Sequence, residues 1–302
     1  MQDLLTLKEL TQEQFKSLLA LAKQIKASPQ DYAQALAGKS VVMLFEKPSL
    51  RTRVSFDIGI NKLGGHSLYL DQQNGALGKR ESVADFASNI SCWADAIVAR
   101  TFSHKTIEEL AQHATVPVIN ALSDLYHPCQ ALADYLSLAE QMDDLSQLRL
   151  AYVGDGNNVT HSLMFGAALL GAKMTVICPE GHFPDGLMVA QAQELAAQYG
   201  GEIVLSSEID KIEGHDAIYT DTWISMGDTT KLDDIKNKFA PYQVNAALMA
   251  KAGASFFMHC LPAHRGVEVT DEVMDGAGSL ILTQAENRMH AQNALLVTLL
   301  AK

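Results

Sequence analysis

Residues 45–57 read F-E-K-P-S-L-R-T-R-V-S-F-D, which gathers two hydroxyls and two guanidiniums (Ser49, Arg51, Thr52, Arg53) at one turn. An apolar strand (Val41, Val42, Met43, Leu44, Phe45) leads into that turn through Pro48. An apolar helical pattern leaves it at Val54, Ile58 and Leu63. A helix start offers backbone N–H groups with no partner inside the helix and the positive end of its dipole. A guanidinium adds a fork that fits two phosphate oxygens. The stretch therefore reads either as an anion site or as an N-capped surface helix with two solvated arginines.

The same plan, a strand with a polar cluster at its end, recurs along the chain. Arg100 ends an apolar strand at 96–99, and Y-H-P-C-Q at 126–130 follows another at 116–120. In the second half, G-D-G-N-N-V at 154–159 follows a strand at 148–153. T-D-T-W-I-S-M-G at 220–227 follows one at 217–219, and H-C-L-P-A-H-R-G at 259–266 one at 256–258. A last short strand is expected at 280–282, before E-N-R-M-H at 286–290. Ligands of open α/β sheets bind at the carboxyl ends of the strands. A charge such as Arg100 fits that role and equally fits a strand-terminal surface position.

Three chemistries compete for these clusters. Gly154 and Gly156 after a strand resemble half of a dinucleotide fingerprint, but the third glycine is missing and the nearest acidic residue after the next strand, Glu180, is displaced by Cys178-Pro179. Two side-chain amides at that helix start suit a carboxylate or an amino-acid head instead. His127, Cys129, His259, Cys260 and His264 do not fall at the spacing of a structural zinc site, so no metal is expected. Cys260 beside His259 invites a thiol–imidazole pair, yet neighbours at a strand end point to opposite faces.

The elements that must position these groups alternate between strand and helix. The first helix is expected from a capping box at Thr6 and Glu9, with Leu7, Leu10, Leu18, Leu19 and Ile25 on its inner face. Ser82 opens another, whose Val83, Phe86, Ala87, Ile90 and Trp93 form a core stripe. The polar run 143–147 separates a first domain, 1–142, from a second, 143–285. A final apolar helix, about 286–302, packs back on the first. The fold class is α/β: two doubly wound parallel-sheet domains with the site in the cleft between them.

Composition sets the bounds. The 302 residues are 48% hydrophobic, enough for two cores, and the net charge of −12 speaks against a nucleic-acid partner. An acidic chain that collects arginines at one turn points to a small anionic ligand. Four scattered cysteines without a C-x-x-C pair imply reduced thiols, and the sequence shows neither a signal pattern nor a membrane-length apolar run. A cytoplasmic protein without membrane association is expected.

S-x-R-T-R, H-P-C-Q, G-D-G-N-N, D-x-W-x-S-M-G, H-C-L-P and E-N-R-M-H, in this order, resemble the ornithine carbamoyltransferases over nearly the whole chain. The resemblance implies a first domain for carbamoyl phosphate and a second for L-ornithine, no cofactor, and a homotrimer or larger homo-oligomer. It implies that Ser49, Leu50, Arg51 and Thr52 cradle the phosphate and that Arg100 reaches phosphate and carbonyl oxygen. His127 and Gln130 would hold the carbamoyl group, closed round by Cys260, Leu261 and Arg288. Asn158, Asp221, Ser225 and Met226 would hold ornithine. Catalysis would fall to Arg100, His127, Cys260 and Thr52. Two positions depart from the family pattern: Leu50 replaces the usual threonine, and Ala76 stands where many relatives carry a glutamine.

Overall fold

The computed structural model describes residues 1–71, 77–79, 81–224 and 232–301. They divide into two compact units, Met1–Leu136 with Asn287–Lys302, and Ser137–Glu286. Both units are parallel sheets flanked by helices, the α/β class expected from the strand–helix alternation.

In the first unit the chain runs α1 (Gln12–Ala27), β1 (Ser40–Phe45), α2 (Leu50–Lys62), β2 (His66–Asp71), α3 (Val83–Ile90), β3 (Ala96–Arg100), α4 (His104–His113), β4 (Val118–Leu122) and α5 (Pro128–Ala139). The strand order is β2-β1-β3-β4, all parallel. Five of the six residues of β1 and all five of β3 are buried, as strands covered on both faces must be. The crossover after β1 leads to one side and that after β3 to the other. The order therefore reverses between these two strands, and the loops beyond their carboxyl ends diverge to leave a crevice.

The second unit contains β5 (Arg149–Val153), α6 (Asn158–Leu170), β6 (Lys173–Ile177), α7 (Gly186–Tyr199), β7 (Glu202–Ser206), β8 (Ala217–Thr220), α8 (Leu232–Phe239), α9 (Ala246–Ala252), β9 (Phe256–His259), α10 (Asp271–Met274) and the start of α11 (Ile281–Leu300). Its order is β7-β6-β5-β8-β9, again parallel, so the reversal falls between β5 and β8. Helix α6 is buried nearly all round, which explains its apolar sequence without a polar face. Among the described residues no helix is long and apolar enough to cross a membrane.

Several elements differ from the sequence expectation. The first helix opens five residues later, with Thr11 and Gln14 forming the capping box; Thr6 is buried ahead of it. The strand expected at 280–282 is only a bridge between Ser279 and Phe257, and α11 begins at Ile281. Glu286–His290 therefore lies inside a helix. A three-residue apolar run fits either element, and here the following twenty-residue helix absorbs it. Trp93 is 73% exposed, because α3 stops at Ile90 and the chain turns before the helical stripe reaches it.

Two glycines after β5 have distinct reasons. Gly154 has φ 142°, outside what a side chain tolerates easily. A Cβ on Gly156 would lie 2.3 Å from the Pro184 nitrogen and 2.6 Å from the Phe183 carbonyl carbon. The face that a dinucleotide pyrophosphate would approach is thus filled by the chain's own backbone. Gly156→Ala is expected to cost about 1–3 kcal/mol through overpacking, read as a lower denaturant midpoint. An unchanged midpoint would mean that the 183–184 backbone yields freely.

Candidate functional site

In the first unit, the turn after β1 and the end of β3 meet at the sheet's reversal point. Phe45 is in register with Arg100, and the Glu46 N–H donates to the Arg100 carbonyl at 2.8 Å. Ser49 is the N-cap of α2: its hydroxyl accepts from the Thr52 N–H at 3.4 Å and donates to the Thr52 hydroxyl at 3.0 Å. Arg288, from α11, donates to the same Thr52 oxygen at 2.9 Å through Nη2, and through Nη1 to Gln130 Oε1 on α5. Gln130 Nε2 in turn donates to Asp134 at 2.7 Å. Three helices, α2, α5 and α11, are thereby joined through one guanidinium. Thr52 Oγ1 accepts two hydrogen bonds, which leaves its own proton for a ligand oxygen.

Thr52, Arg100, His127, Gln130, Asp134 and Arg288 are all buried. His127 immediately precedes Pro128, the first residue of α5, and its carbonyl accepts from the Gln130 and Ala131 N–H groups. Burial, reinforced by the charges of Arg288 and Arg100, holds the His127 imidazole well below its ordinary range, so it is neutral near pH 7. A neutral ring presents one donor and one acceptor rather than a third cation. Lys47, half-buried with its ammonium 4.9 Å from the Phe102 ring centroid, is also shifted down, by burial and then by Arg100. Sequence reasoning passed over Lys47 and Asp134. Asp134 was legible as the i+4 neighbour of Gln130; the approach of Lys47 to Arg100 depends on strand order and carried no local signal.

Leu50 opens α2 with its side chain 76% exposed, and Arg51 is exposed as well. Arg53 lies 3.9 Å from the Tyr69 ring centroid, a cation–π contact that separates it from the anion turn. Cys129 is buried, donates to the Asn120 carbonyl, and has its thiol pushed up to about 12. It is a packing residue.

In the second unit the corresponding reversal point gathers Asn157, Asp221 and Cys260. Asn157 caps α6, accepting from the Val159 and Thr160 N–H groups at 2.9 and 3.3 Å, and donates through Nδ2 to Asp221 at 2.8 Å. The other Asp221 oxygen accepts from the Thr222 N–H at 2.8 Å and from the Cys260 thiol at 3.0 Å. Asn158 is half-buried as the first residue of α6. Of the two amides that the sequence places at this helix start, Asn157 is the one that meets Asp221. Ser225, Met226, Gly227 and Ala76 lie outside the described residues.

His259 and Cys260 do not turn to opposite faces as expected at the end of β9: a ring nitrogen and the thiol lie within 4.8 Å of each other. The Leu261 N–H donates to His259 Nδ1 at 2.8 Å, which places the ring proton on Nε2, 3.3 Å from the buried Glu268 carboxylate. Gln284 Oε1 accepts from the His259 N–H at 3.0 Å. Leu261 has φ 60°, in the left-handed region that a branched side chain disfavours, so these bonds hold the turn against local strain. The result is a fixed Cys260 thiol aimed at Asp221. One ligand atom each from Asp221, His259 and Cys260 lies within 4.8 Å of the others. Within this group the Cys260 thiol donates to Asp221, while His259 Nδ1 accepts from the Leu261 N–H. A cavity of about 310 Å³ is lined by Trp223, Ile224, His264, Val267 and Glu268, on the segments that flank Asp221 and Cys260.

These features define a two-unit α/β protein with a cationic anion site in one unit and an acid–amide–thiol site in the other. The chain belongs to the aspartate/ornithine carbamoyltransferase family: its carbamoyl-P binding domain matches residues 2–140 and its Asp/Orn binding domain residues 146–299. The ornithine carbamoyltransferase of Shewanella oneidensis is 78% identical over 299 residues, covering 99% of each chain. The solved ornithine carbamoyltransferase of Pyrococcus furiosus superposes with a TM-score of 0.95 at 46% identity, covering 99% of this chain and 97% of that one. The anabolic ornithine carbamoyltransferase of Campylobacter jejuni does so with a TM-score of 0.93 at 33% identity, covering 99% of both.

The neutral state of His127 makes stability depend on pH. The unfolded chain takes up this proton near the ordinary value of 6.5, the folded chain only well below it. Stability is therefore complete above about pH 6.5 and falls as the pH drops below it. The denaturant midpoint is expected to fall between about pH 7 and pH 5, and His127→Gln to remove part of that fall. An equal fall in the variant would show that His127 does not titrate on unfolding.

Proposed function

We propose that the chain transfers the carbamoyl group of carbamoyl phosphate to the δ-amine of L-ornithine, giving L-citrulline and phosphate. The observation that carries this reading is that one chain holds both halves of such a reaction. A buried set of guanidiniums and hydroxyls suits a phosphorylated donor, and an acid–amide–thiol cluster suits an amino-acid acceptor. Ser49, Leu50, Arg51 and Thr52 bind the phosphate, Leu50 through its backbone N–H, and Arg100 and Arg288 add charge. His127 and Gln130 hold the carbamoyl group. Asp221 pairs with the α-ammonium of ornithine, with Asn158, Ser225 and Met226 contributing to the same ligand.

The chemistry follows from these roles. The neutral δ-amine attacks the carbonyl carbon, a C–N bond forms, and negative charge gathers on the carbonyl oxygen. The Thr52 proton, the Arg100 guanidinium and the neutral His127 ring are the donors that stabilise it. Collapse breaks the carbon–oxygen bond to phosphate, and the amine loses one proton. Cys260, its thiol donating to Asp221, orients the amine and forms no covalent intermediate. The "anabolic" designation of the Campylobacter jejuni relative supports the direction of synthesis, as a step of arginine biosynthesis. Four free cysteines support a reducing, cytoplasmic location.

A homotrimer is the assembly we propose. Its support is an exposed apolar stripe on α2, where Leu50, Val54 and Ile58 repeat every fourth residue at 76%, 42% and 45% exposure. Sedimentation equilibrium is expected to give three times the 32.8 kDa chain mass, and a monomer mass at micromolar concentration would end this part of the proposal.

The decisive experiment offers carbamoyl phosphate with ornithine, putrescine, N-acetylornithine or aspartate as acceptor. Transfer to ornithine alone is expected, with Arg100→Ala reducing turnover by about 10²–10³-fold. Transfer to a different acceptor would discard the ornithine assignment and keep the donor half. A fully active Arg100→Ala variant would remove that residue from the oxyanion site.

A further inference from the structure

The donor site contains an unusual orientation lock. Gln130 carries a side-chain amide whose two ends have nearly the same shape but opposite hydrogen-bonding character. On one side stands Asp134, one helical turn further along α5, whose carboxylate oxygen accepts from Gln130 Nε2 at 2.7 Å. On the other stands Arg288, which can only donate, and which does so to Gln130 Oε1. An amide whose NH₂ donates to a carboxylate oxygen on one side, and whose oxygen accepts on the other from a guanidinium that can only donate, is held in one orientation. A fully buried carboxylate is costly to a helix that could carry an apolar residue there, so its presence calls for a reason beyond packing.

The surroundings supply that reason. The α2 N-terminus, the Thr52 proton, Arg100 and Arg288 are all donors, which is what a phosphate with only acceptor oxygens requires. A carbamoyl group differs from phosphate in carrying an NH₂, which needs an acceptor. Gln130 Oε1 has a second lone pair and, like the neutral His127 ring, is an acceptor set among these donors.

We propose that Asp134 is a positioning residue: by fixing the amide of Gln130 with its oxygen toward the site, it lets the site distinguish carbamoyl phosphate from bare phosphate. This rests on the donor substrate assigned above. Asparagine at 134 could donate as well as accept, so both orientations of Gln130 would become available, one of them setting two donors, the amide and Arg288, against each other. The same change removes a negative charge from a site for anions. Discrimination and anion affinity should then move in opposite directions.

The test is calorimetric binding of carbamoyl phosphate and of inorganic phosphate to the full chain and to Asp134→Asn, with steady-state kinetics alongside. Carbamoyl phosphate is expected to bind at least about tenfold more weakly to the variant, while inorganic phosphate binds within about twofold of the parent or more tightly. Asp134→Ser, which lacks the fixed carboxylate acceptor, is expected to show the same split. Equal weakening of both ligands, no change in either, or loss of the folded far-ultraviolet spectrum in both variants would make Asp134 a structural residue and overturn the proposal. A parent protein that binds phosphate but not carbamoyl phosphate would instead sink the assigned substrate, and the role of Asp134 with it.

Discussion

The first unit depends on placing the guanidinium of Arg288 in its interior. Removing such a charge from water costs several kcal/mol unless its donors are met. Here Thr52 and Gln130 meet two of them, and each partner is itself anchored: Thr52 by the cap of α2, Gln130 by Asp134. Helix start, sheet reversal and terminal helix are thereby fixed relative to each other within that unit. With Arg100 close enough to His127 to help keep it uncharged, the positive charge of the site stays on the arginines. The imidazole remains a neutral hydrogen-bonding group, suited to charge that develops during reaction.

The second unit solves a different problem with a shared acceptor. Asp221 takes hydrogen bonds from an amide, a backbone N–H and a thiol, and its three donors come from segments after β5, β8 and β9. That convergence requires β5, β8 and β9 to lie side by side, which is what the strand order provides. The strained turn at Leu261, held by His259 and indirectly by Glu268, decides where the thiol points.

Much of this was readable from the chain itself. Parallel α/β architecture followed from apolar strands separated by helical patterns, and the capped start of α2 from hydroxyls at a turn before a helical pattern. What could not be read was set by contacts distant in sequence. Arg53 looked like a partner of Arg51 until Tyr69, from the neighbouring strand, claimed it. Both amides at 157 and 158 were visible at the helix start, but neither spacing nor composition tells which of them turns toward an aspartate sixty residues away. The run 280–282 was short enough for either period, and only the length of the helix behind it decides. Trp93 fell off its stripe because helix ends are the least legible feature of a periodic pattern.

The first unit is built from Met1–Leu136 and Asn287–Lys302, with the whole second unit intervening along the chain. On the ribosome, therefore, the first half emerges early but without Arg288, and Thr52 and Gln130 wait through the synthesis of some hundred and fifty residues for the group that joins them. The second unit, contiguous in the chain, can complete its sheet before that guanidinium exists. A nascent chain stalled short of α11 would lack Arg288 in the first unit and, in the second, Gln284, which accepts from the His259 N–H. Helix α11 thus supplies one hydrogen-bonding group to each unit, and neither network closes before that helix is made.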